Sequence, residues 1–352
     1  MRKARVVAEK GEAATYHCVT RVVERRCAFG KAEKEKFMQF LREYEEFCGV
    51  RLLAFCVMSN HLHVLVHVPA APEKMPDDAE LVRLVARADL SHGAARLERE
   101  LAQLRKARNK AGLKKLRKKF LCRMWNISKF MQAVKQRFTQ WFNGLHKRKG
   151  TLWEGRFKST LVEDTGQTLS TLSAYIDLNP VRAGMVDDPA AYRWCGYAEA
   201  QAGGRLAREA LKRVVLGCLA DSRSGETEAE EAERLLARYR MYLFENGQER
   251  LPMPTGEGAR RGIDPERVAE VIRQGGRLSF YESLRCRNRY FADGGMLGSK
   301  GFAESMFLRY RHQFGARRKT GACEMRAVDF QGLFVTRALR DQAVFAPCLQ
   351  EW

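Results

Sequence analysis

Two neighbouring runs of apolar, β-prone residues constrain the fold of this 352-residue chain more than any other feature. Residues 50–58 and residues 61–68 are separated only by Ser59 and Asn60, residue types that favour turns. Two such runs on either side of a short turn predict a β-hairpin. We therefore expect an antiparallel pair of strands between residues 50 and 68.

The other elements are predicted from residue type and apolar spacing. Residues 13–23 are rich in β-branched and aromatic types, which indicates a strand. Helices are predicted where apolar residues recur every three or four positions. These helices are residues 31–48 with Gly49 as the stop, residues 127–142, and residues 167–178, the last preceded by a loop at residues 150–158 that leads into a strand.

The charge of the chain indicates a polyanionic partner. The formal net charge is +21, which favours nucleic acid. An anionic membrane is the alternative, but it requires an amphipathic anchor. Much of the charge falls in residues 77–123, which are predicted to be helical; twelve Lys or Arg stand against two Glu between Arg96 and Arg123. This segment is either a solvated helical arm or, as we favour, an arm that binds phosphates.

The location of the protein is inferred from what the sequence lacks. No run of eighteen apolar residues is present, so no transmembrane helix is expected. The basic N-terminus is not followed by an apolar stretch, so we expect no secretory signal and a cytoplasmic protein. The ten cysteines are scattered without a Cys-x-x-Cys pair, which argues against a zinc ribbon or a disulfide framework.

His61-Leu62-His63 is the first candidate site motif. Side chains at positions i and i+2 of a strand point to the same face, so the two imidazoles would project together and suit one divalent metal ion. The residue between them would point into the core. A pair of histidines on a solvated strand face is the alternative, and the motif alone does not exclude it.

Tyr175 and Asn179 form the second candidate motif. In a helix, a residue four positions later lies on the same face, so a phenol and an amide oxygen would point the same way. A phenol can act as a nucleophile, and the amide could supply a neutral metal ligand. The alternative is a partly buried tyrosine with Asn179 ending the helix before Pro180, a residue that distorts helices.

The third motif is the loop from Trp153 to Lys158. Arg156 and Lys158 beside aromatic residues suit phosphate contacts and base stacking. A surface loop whose aromatic side chains close the core is the equally weighted alternative.

These segments, in this order, resemble the single-tyrosine HUH transposases, which include insertion-sequence-200-like enzymes and REP-associated tyrosine transposases. The resemblance covers roughly residues 12–200. It rests on four stretches: residues 16–21 (YHCVTR), residues 57–66 (VMSNHLHVLV), residues 150–159 (GTLWEGRFKS) and residues 175–184 (YIDLNPVRAG).

The resemblance implies a fold and a site. The fold would be α+β: an antiparallel sheet with helices on one face, ferredoxin-like or RRM-like, plus a helical insertion and a mostly helical C-terminal region. His61, His63 and Asn179 would be metal ligands for Mg²⁺ or Mn²⁺. Tyr175 would be the nucleophile that becomes joined to the 5′-phosphate of a cut DNA strand.

The resemblance also implies a DNA substrate that is single-stranded at the cut and lies beside a hairpin. The expected DNA contacts are Arg156, Lys158, Arg182, Lys114, Lys115 and Lys118. A homodimer is a possible assembly, because family members differ in whether the tyrosine acts on its own chain or on a partner. No membrane partner is expected.

The expected organisation has three parts. A catalytic domain would span residues 1–200, with the basic insertion at residues 77–123; an acidic linker and helix would span residues 201–251, and an accessory DNA-binding region residues 252–352. Two other functions remain open: a non-catalytic, domesticated DNA-binding regulator on the same fold, and an RNA-binding sheet protein. A metal requirement and a covalent adduct separate the enzyme from both.

Overall fold

A computed structural model describes the chain over residues 5–9, 11–88, 91–219, 227–244, 280–285, 288–325, 330 and 332–339. The expected boundary between residues 251 and 252 lies outside these described residues, and so does most of the acidic stretch before residue 228. The strands in the described residues form one sheet, and helices pack on both of its faces.

Seven strands make up the sheet, in the order β2-β3-β1-β4-β5-β7-β6. The first four pair antiparallel, while β4 and β5 run parallel. Their bounds are β1 Ala14–Arg21, β2 Arg51–Val57, β3 His61–Val68, β4 Lys158–Val162, β5 Met296–Gly298, β6 Cys323–Glu324 and β7 Phe334–Val335.

The predicted hairpin is present. Strands β2 and β3 pair from Arg51–His67 to Val57–Leu62, and the turn closes where the Met58 backbone N–H donates to the His61 carbonyl at 2.9 Å. The preceding helix ends at Gly49, as predicted. Gly49 has a φ of 61°, in the left-handed region that glycine adopts without a steric penalty.

The helices range from a single turn to five turns. The predicted helices at residues 31–48, 127–142 and 167–178 correspond to α1, α5 and α6. All the helix bounds are α1 Lys31–Cys48, α2 Asp78–Arg87, α3 Ser91–Lys106, α4 Lys110–Leu121, α5 Ile127–Leu145, α6 Gly166–Asp177, α7 Asn179–Arg182, α8 Gly196–Gln201, α9 Arg205–Leu219, α10 Glu228–Phe244, α11 Phe280–Arg285, α12 Tyr290–Asp293 and α13 Lys300–Arg309.

Two hydrophobic cores lie on opposite faces of the sheet. On the first face, Leu62, Val64 and Val66 of β3 pack with α1 and α5. On the second face, Leu65 of β3 and alternate residues of β2 pack with α6, α8, α9 and α10. A strand whose residues are buried on both sides reads as a continuous apolar run, which explains the unbroken apolar character of β2.

The α+β class is therefore confirmed, with two differences from the expected arrangement. Helices cover both faces rather than one, because β2 has apolar residues on both sides and β3 adds Leu65 to the second core. The C-terminal region, expected to be mostly helical, also contributes β5, β6 and β7 to the sheet. Strands of two or three residues are too short to show a period of two.

The basic segment forms a helical arm, made of α3 and α4, on the first face of the sheet. One side of the arm is apolar: Leu97, Leu101 and Leu116 are buried in the first core. The arm is anchored through Asp78, whose carboxylate accepts hydrogen bonds from Arg105 and Arg117. The hydrogen bond from Arg117 is the main cause of the lowered pKa of Asp78.

Candidate active site

The two histidines of His61-Leu62-His63 project from β3 on the second face of the sheet. Their ring centroids are 5.2 Å apart, and Leu62 between them is fully buried in the first core, as predicted. His61 is half-buried, whereas His63 is only 5% exposed. The pair thus lies at the margin of a covered site, which argues against a solvated strand face.

A third histidine, His17 of β1, belongs to the site and was not singled out from the sequence. Its register partner on β3 is Leu65, so His63 is its diagonal neighbour. His17 Nε2 lies 2.9 Å from His63 Nδ1, and the two rings are nearly coplanar at 17°. Complete burial lowers the pKa of His17 to about 4. The only sequence signal was its place in the YHCVTR stretch.

Tyr175 lies across from the histidines on α6. Its ring centroid is 6.1 Å from that of His63. The side chain is 4% exposed, and its hydroxyl donates to the backbone carbonyl of Asn288 at 3.1 Å. The structure thus brings Tyr175 and the histidines of one chain together.

Asn179 begins a new helical turn rather than continuing α6. The backbone turns at Leu178, and Pro180 sits at the start of α7, which is the distortion that the proline predicts. The Asn179 amide nitrogen donates to the carbonyls of Ile176, at 2.9 Å, and Tyr175, at 3.3 Å. Because these bonds use the nitrogen, the amide oxygen is the atom left to accept or to coordinate.

Arg182 of α7 lies against the ring of Tyr175. Its guanidinium carbon lies 4.1 Å from the centre of the Tyr175 ring. Its two terminal nitrogens donate to the carbonyls of Leu284 and Tyr175, both at 2.8 Å. These two bonds join α6 to the C-terminal region, and the DNA contact expected of Arg182 stays a prediction.

The C-terminal region contributes Asn288 and Phe291 to the site. The Phe291 ring packs against Tyr175 at 4.6 Å between centroids, and the Phe291 carbonyl accepts from His17 Nδ1 at 2.9 Å and from Thr160 at 2.9 Å. Residues 201–352 lie outside the sequence resemblance, yet they supply backbone acceptors to the Tyr175 hydroxyl and to His17.

A cleft of about 460 Å³ lies where the end of β1 meets the start of β4. One of its lining residues, Arg21, is the sheet partner of His61, but neither His61 nor His63 lines the cleft. Five cationic and two acidic side chains line it: Arg5, Arg21, Arg156, Lys158, Arg337, Glu154 and Asp293. Lys158 is paired with Asp293 at 2.8 Å, whereas Arg156 is exposed.

The loop from Trp153 to Lys158 has features of both interpretations of its sequence: aromatic side chains that close the core and basic side chains in an open cleft. Trp153 and Phe157 are buried in the first core, so neither is available for base stacking. Arg156 and Lys158 face the cleft. Lys135 of α5 fixes the loop by donating to the Gly155 carbonyl at 2.8 Å, and burial lowers the pKa of Lys135 to about 8.

The arm lysines lie apart from this cleft. Lys114, Lys115 and Lys118 are exposed on α4, while Leu116 between them is buried. They therefore form a separate basic surface on the arm, which packs on the first face of the sheet.

The side chains present give a mixed donor set for a metal ion. Over the described residues, no group of three or more His, Cys, Asp or Glu side chains could hold one. A site built on His61 and His63 would therefore need a third protein ligand of another type, and the resemblance assigns that place to Asn179. Imidazole nitrogens with a neutral oxygen suit a divalent ion that keeps water or phosphate oxygens as its other ligands.

Comparisons with known proteins give one family. Residues 11–78 match the model of the family described as "Transposase IS200 like". The chain is also similar to a solved structure titled "Structure of the REP associates tyrosine transposase bound to a REP hairpin", with 14% identity over 64% of this chain and 98% of that chain, and a TM-score of 0.38. No curated protein matches the chain. Among the helices described here, none is long and apolar enough to cross a membrane.

Proposed function

We propose that this chain, whose residues 11–78 carry the IS200-like transposase signature, cuts and rejoins one strand of DNA through a bond between Tyr175 and the 5′-phosphate. The observation that carries the proposal is the juxtaposition of Tyr175 with His63, 6.1 Å apart between ring centroids, on one covered face of a single chain. This arrangement supports the proposal, because a phenol lies beside a pair of imidazoles.

A divalent ion, Mg²⁺ or Mn²⁺, would be held by His61, His63 and the amide oxygen of Asn179. When bound, such an ion draws charge from the scissile phosphate and orients it. The fit of the donor set supports this assignment, because both histidines project from one face of β3.

The chemical step exchanges one phosphate ester for another. The Tyr175 oxygen attacks phosphorus in line and loses its proton, the bond from phosphorus to O3′ breaks, and the leaving O3′ gains a proton. A later 3′-hydroxyl can attack the phosphotyrosine and reverse the exchange, so no nucleotide hydrolysis is required. Arg182, stacked on the ring at 4.1 Å, orients the phenol.

The DNA would meet two separate basic surfaces. The cleft lined by Arg21 and Arg156 suits the single strand near the cut, because it is rich in cationic side chains and Arg21 is the sheet partner of His61. The exposed lysines of the arm suit the phosphates of a hairpin stem, which are contacted without reading sequence. An RNA-binding sheet is disfavoured, because helices cover both faces of β1 and β3 where such proteins present stacking aromatics.

A non-catalytic DNA-binding regulator is the second candidate, and one observation favours it. The Tyr175 hydroxyl is buried and already donates to the Asn288 carbonyl. For the enzyme, this hydroxyl must exchange its backbone partner for the phosphate when DNA binds. For the regulator, the contact is simply part of the core.

The test is a covalent-adduct assay with a labelled single-stranded hairpin oligonucleotide from the DNA flanking the gene. We expect a protein–DNA band that resists SDS, requires Mg²⁺ or Mn²⁺, and disappears in Tyr175→Phe. The matched control is Tyr16→Phe, which alters a buried tyrosine on the opposite face of the sheet. Tight hairpin binding without an adduct in either metal would favour the regulator.

A further inference from the structure

A metal ion binds only the imidazole nitrogen that carries no hydrogen. In a neutral histidine one ring nitrogen carries the proton and the other a lone pair, and the hydrogen-bond partner of one nitrogen decides the arrangement. His61 and His63 can act as ligands through Nε2 only if their Nδ1 atoms hold the proton. Two series of hydrogen bonds in the structure, here called hydrogen-bond chains, decide which ring nitrogen of each histidine carries the proton.

The first chain ends at His61. The Asn60 amide nitrogen donates to the Arg25 carbonyl at 2.9 Å, and this bond fixes the orientation of the amide because a carbonyl can only accept. The Asn60 oxygen is therefore the atom that lies 2.6 Å from His61 Nδ1. An amide oxygen can only accept, so His61 Nδ1 carries the hydrogen and Nε2 the lone pair.

The second chain ends at His63. The Phe291 carbonyl accepts from His17 Nδ1 at 2.9 Å, so that nitrogen of His17 carries the hydrogen. In neutral His17, Nε2 is then an acceptor, and it faces His63 Nδ1 at 2.9 Å. His63 Nδ1 is thus the donor, and the lone pair of His63 lies on Nε2.

His17 is excluded as a third metal ligand by the same contacts. Both of its ring nitrogens are engaged, one with Phe291 and one with His63, and the side chain is fully buried. It acts through His63 alone. Partners of this kind fix the tautomer and orientation of metal-bound histidines.

We infer that Asn60 and His17 are positioning residues that hold His61 and His63 in the Nδ1–H tautomer, each anchored on a backbone carbonyl, that of Arg25 or that of Phe291. The inference rests on the proposed metal site for its purpose, but the hydrogen-bond chains belong to the protein without metal. It assigns a role to the C-terminal region: Phe291 sets the protonation of a histidine on β3.

The first experiment records long-range ¹H–¹⁵N spectra of the imidazoles in the full, metal-free chain. We expect Nδ1–H tautomers for His17, His61 and His63. An Nε2–H tautomer at His63 or His61 overturns the inference for that histidine. This measurement needs no variant, so a folding defect cannot obscure it.

The second experiment tests the hydrogen-bond chains by substitution. In His17→Ala, His63 should become a mixture of tautomers, and the affinity for Mn²⁺ measured by EPR should fall about 10–100-fold. His17→Gln should recover part of the affinity, because a carboxamide offers one donor and one acceptor. Thr160→Val is the matched control: it removes the other hydrogen bond to the Phe291 carbonyl and should leave the His63 tautomer unchanged.

The turn at Ser59 and Asn60 is tested by a second pair of variants. Asn60→Ala should release the His61 tautomer, whereas Ser59→Ala in the same turn should not. An unchanged tautomer in both His17→Ala and Asn60→Ala, with the fold retained, would contradict the assignment. Nδ1–H tautomers in wild type without Mn²⁺ or Mg²⁺ binding would count against the proposed metal site while leaving the two hydrogen-bond chains supported.

Discussion

The two faces of the central sheet are built in opposite ways, and β3 shows the contrast within one strand. Its side chains on the first face are Leu62, Val64, Val66 and Val68, all buried in an apolar core. On the second face the strand presents His61, His63, Leu65 and His67. On the first face β3 buries only apolar side chains, while on the second face it also buries polar side chains, each of which needs a partner.

The partners on the second face come from distant parts of the chain. His63 is bonded to His17 of β1, and His67 approaches Arg213 of α9 and Asp164. Asp177 of α6 accepts from Tyr239 of α10 at 2.8 Å. A buried polar group without a partner is costly. The polar groups of the second face therefore require β1, α9 and α10 to be in place together. The comparison separates a face for stability from a face for chemistry, and the following predictions test that separation.

The largest effect is expected from a substitution on the chemical face. His63→Ala should reduce adduct formation at least a hundredfold, because even the outer partners of metal ligands contribute about 10–100-fold. Its binding of a labelled hairpin should change little. Adduct yield and hairpin affinity, measured on the same preparation, check this; a variant that cuts normally would remove His63 from the site.

Leu62→Ala tests the neighbouring residue on the apolar face. We expect it to lower the free energy of unfolding by about 2–5 kcal/mol, the usual cost of truncating a fully buried leucine. Below its melting temperature the variant should bind Mn²⁺ as wild type does. Urea denaturation and EPR titration give the two values, and a selective drop in Mn²⁺ affinity would show that the faces are not independent.

Asp177→Asn tests the cost of a buried acid on the chemical face. Burial raises the pKa of Asp177 to about 7, above its unfolded value of about 3.9, so the folded state favours the neutral form. The wild type therefore loses stability as the pH rises from about 4 to about 7. The variant should gain on wild type over this range, by on the order of 2–4 kcal/mol at pH 8.

Denaturation at pH 5 and pH 8 measures that gain. Tyr239 can turn its hydroxyl to accept from the new amide, so the variant should keep the native contacts. A stability difference that is the same at both pH values would contradict the raised pKa.

The smallest effect concerns the arm, which the apolar face supports. Replacing Lys114, Lys115 and Lys118 by alanine should weaken hairpin binding and reduce the slope of log K against log salt by about 0.9 for each DNA phosphate that the variant no longer neutralises. Binding of an unpaired oligonucleotide should be nearly unaffected, since the cleft lies elsewhere. An equal weakening for both DNAs would show that the two basic surfaces act as one.

The sequence predicted the elements that have a local pattern. The hairpin, β1, α1, α5 and α6 all lie where apolar spacing and residue type placed them. The histidine face of β3 was also predicted, because the period of two is a local property of a strand. The helical and basic character of residues 77–123 was also predicted from local composition.

What the sequence did not predict depends on register and on contacts between distant segments. His17 is a single histidine on a strand, and only the pairing of β1 with β3 brings it to His63. The packing of Arg182 on Tyr175 was not predicted either, because one of its backbone acceptors, Leu284, is 102 positions away in the sequence. Asn60 was interpreted as a turn residue, and its second role depends on the Arg25 carbonyl 35 positions away.

The parallel pairing of β4 with β5 has a consequence for the order of synthesis. Residues 12–200 leave the ribosome first, with β4 as an open edge and with no acceptor yet for His17 or Tyr175. Only when Asn288, Phe291 and Met296 follow can the edge be covered and both acceptors arrive. A ribosome-bound or truncated chain that ends before these residues would thus display the signature residues without the completed site.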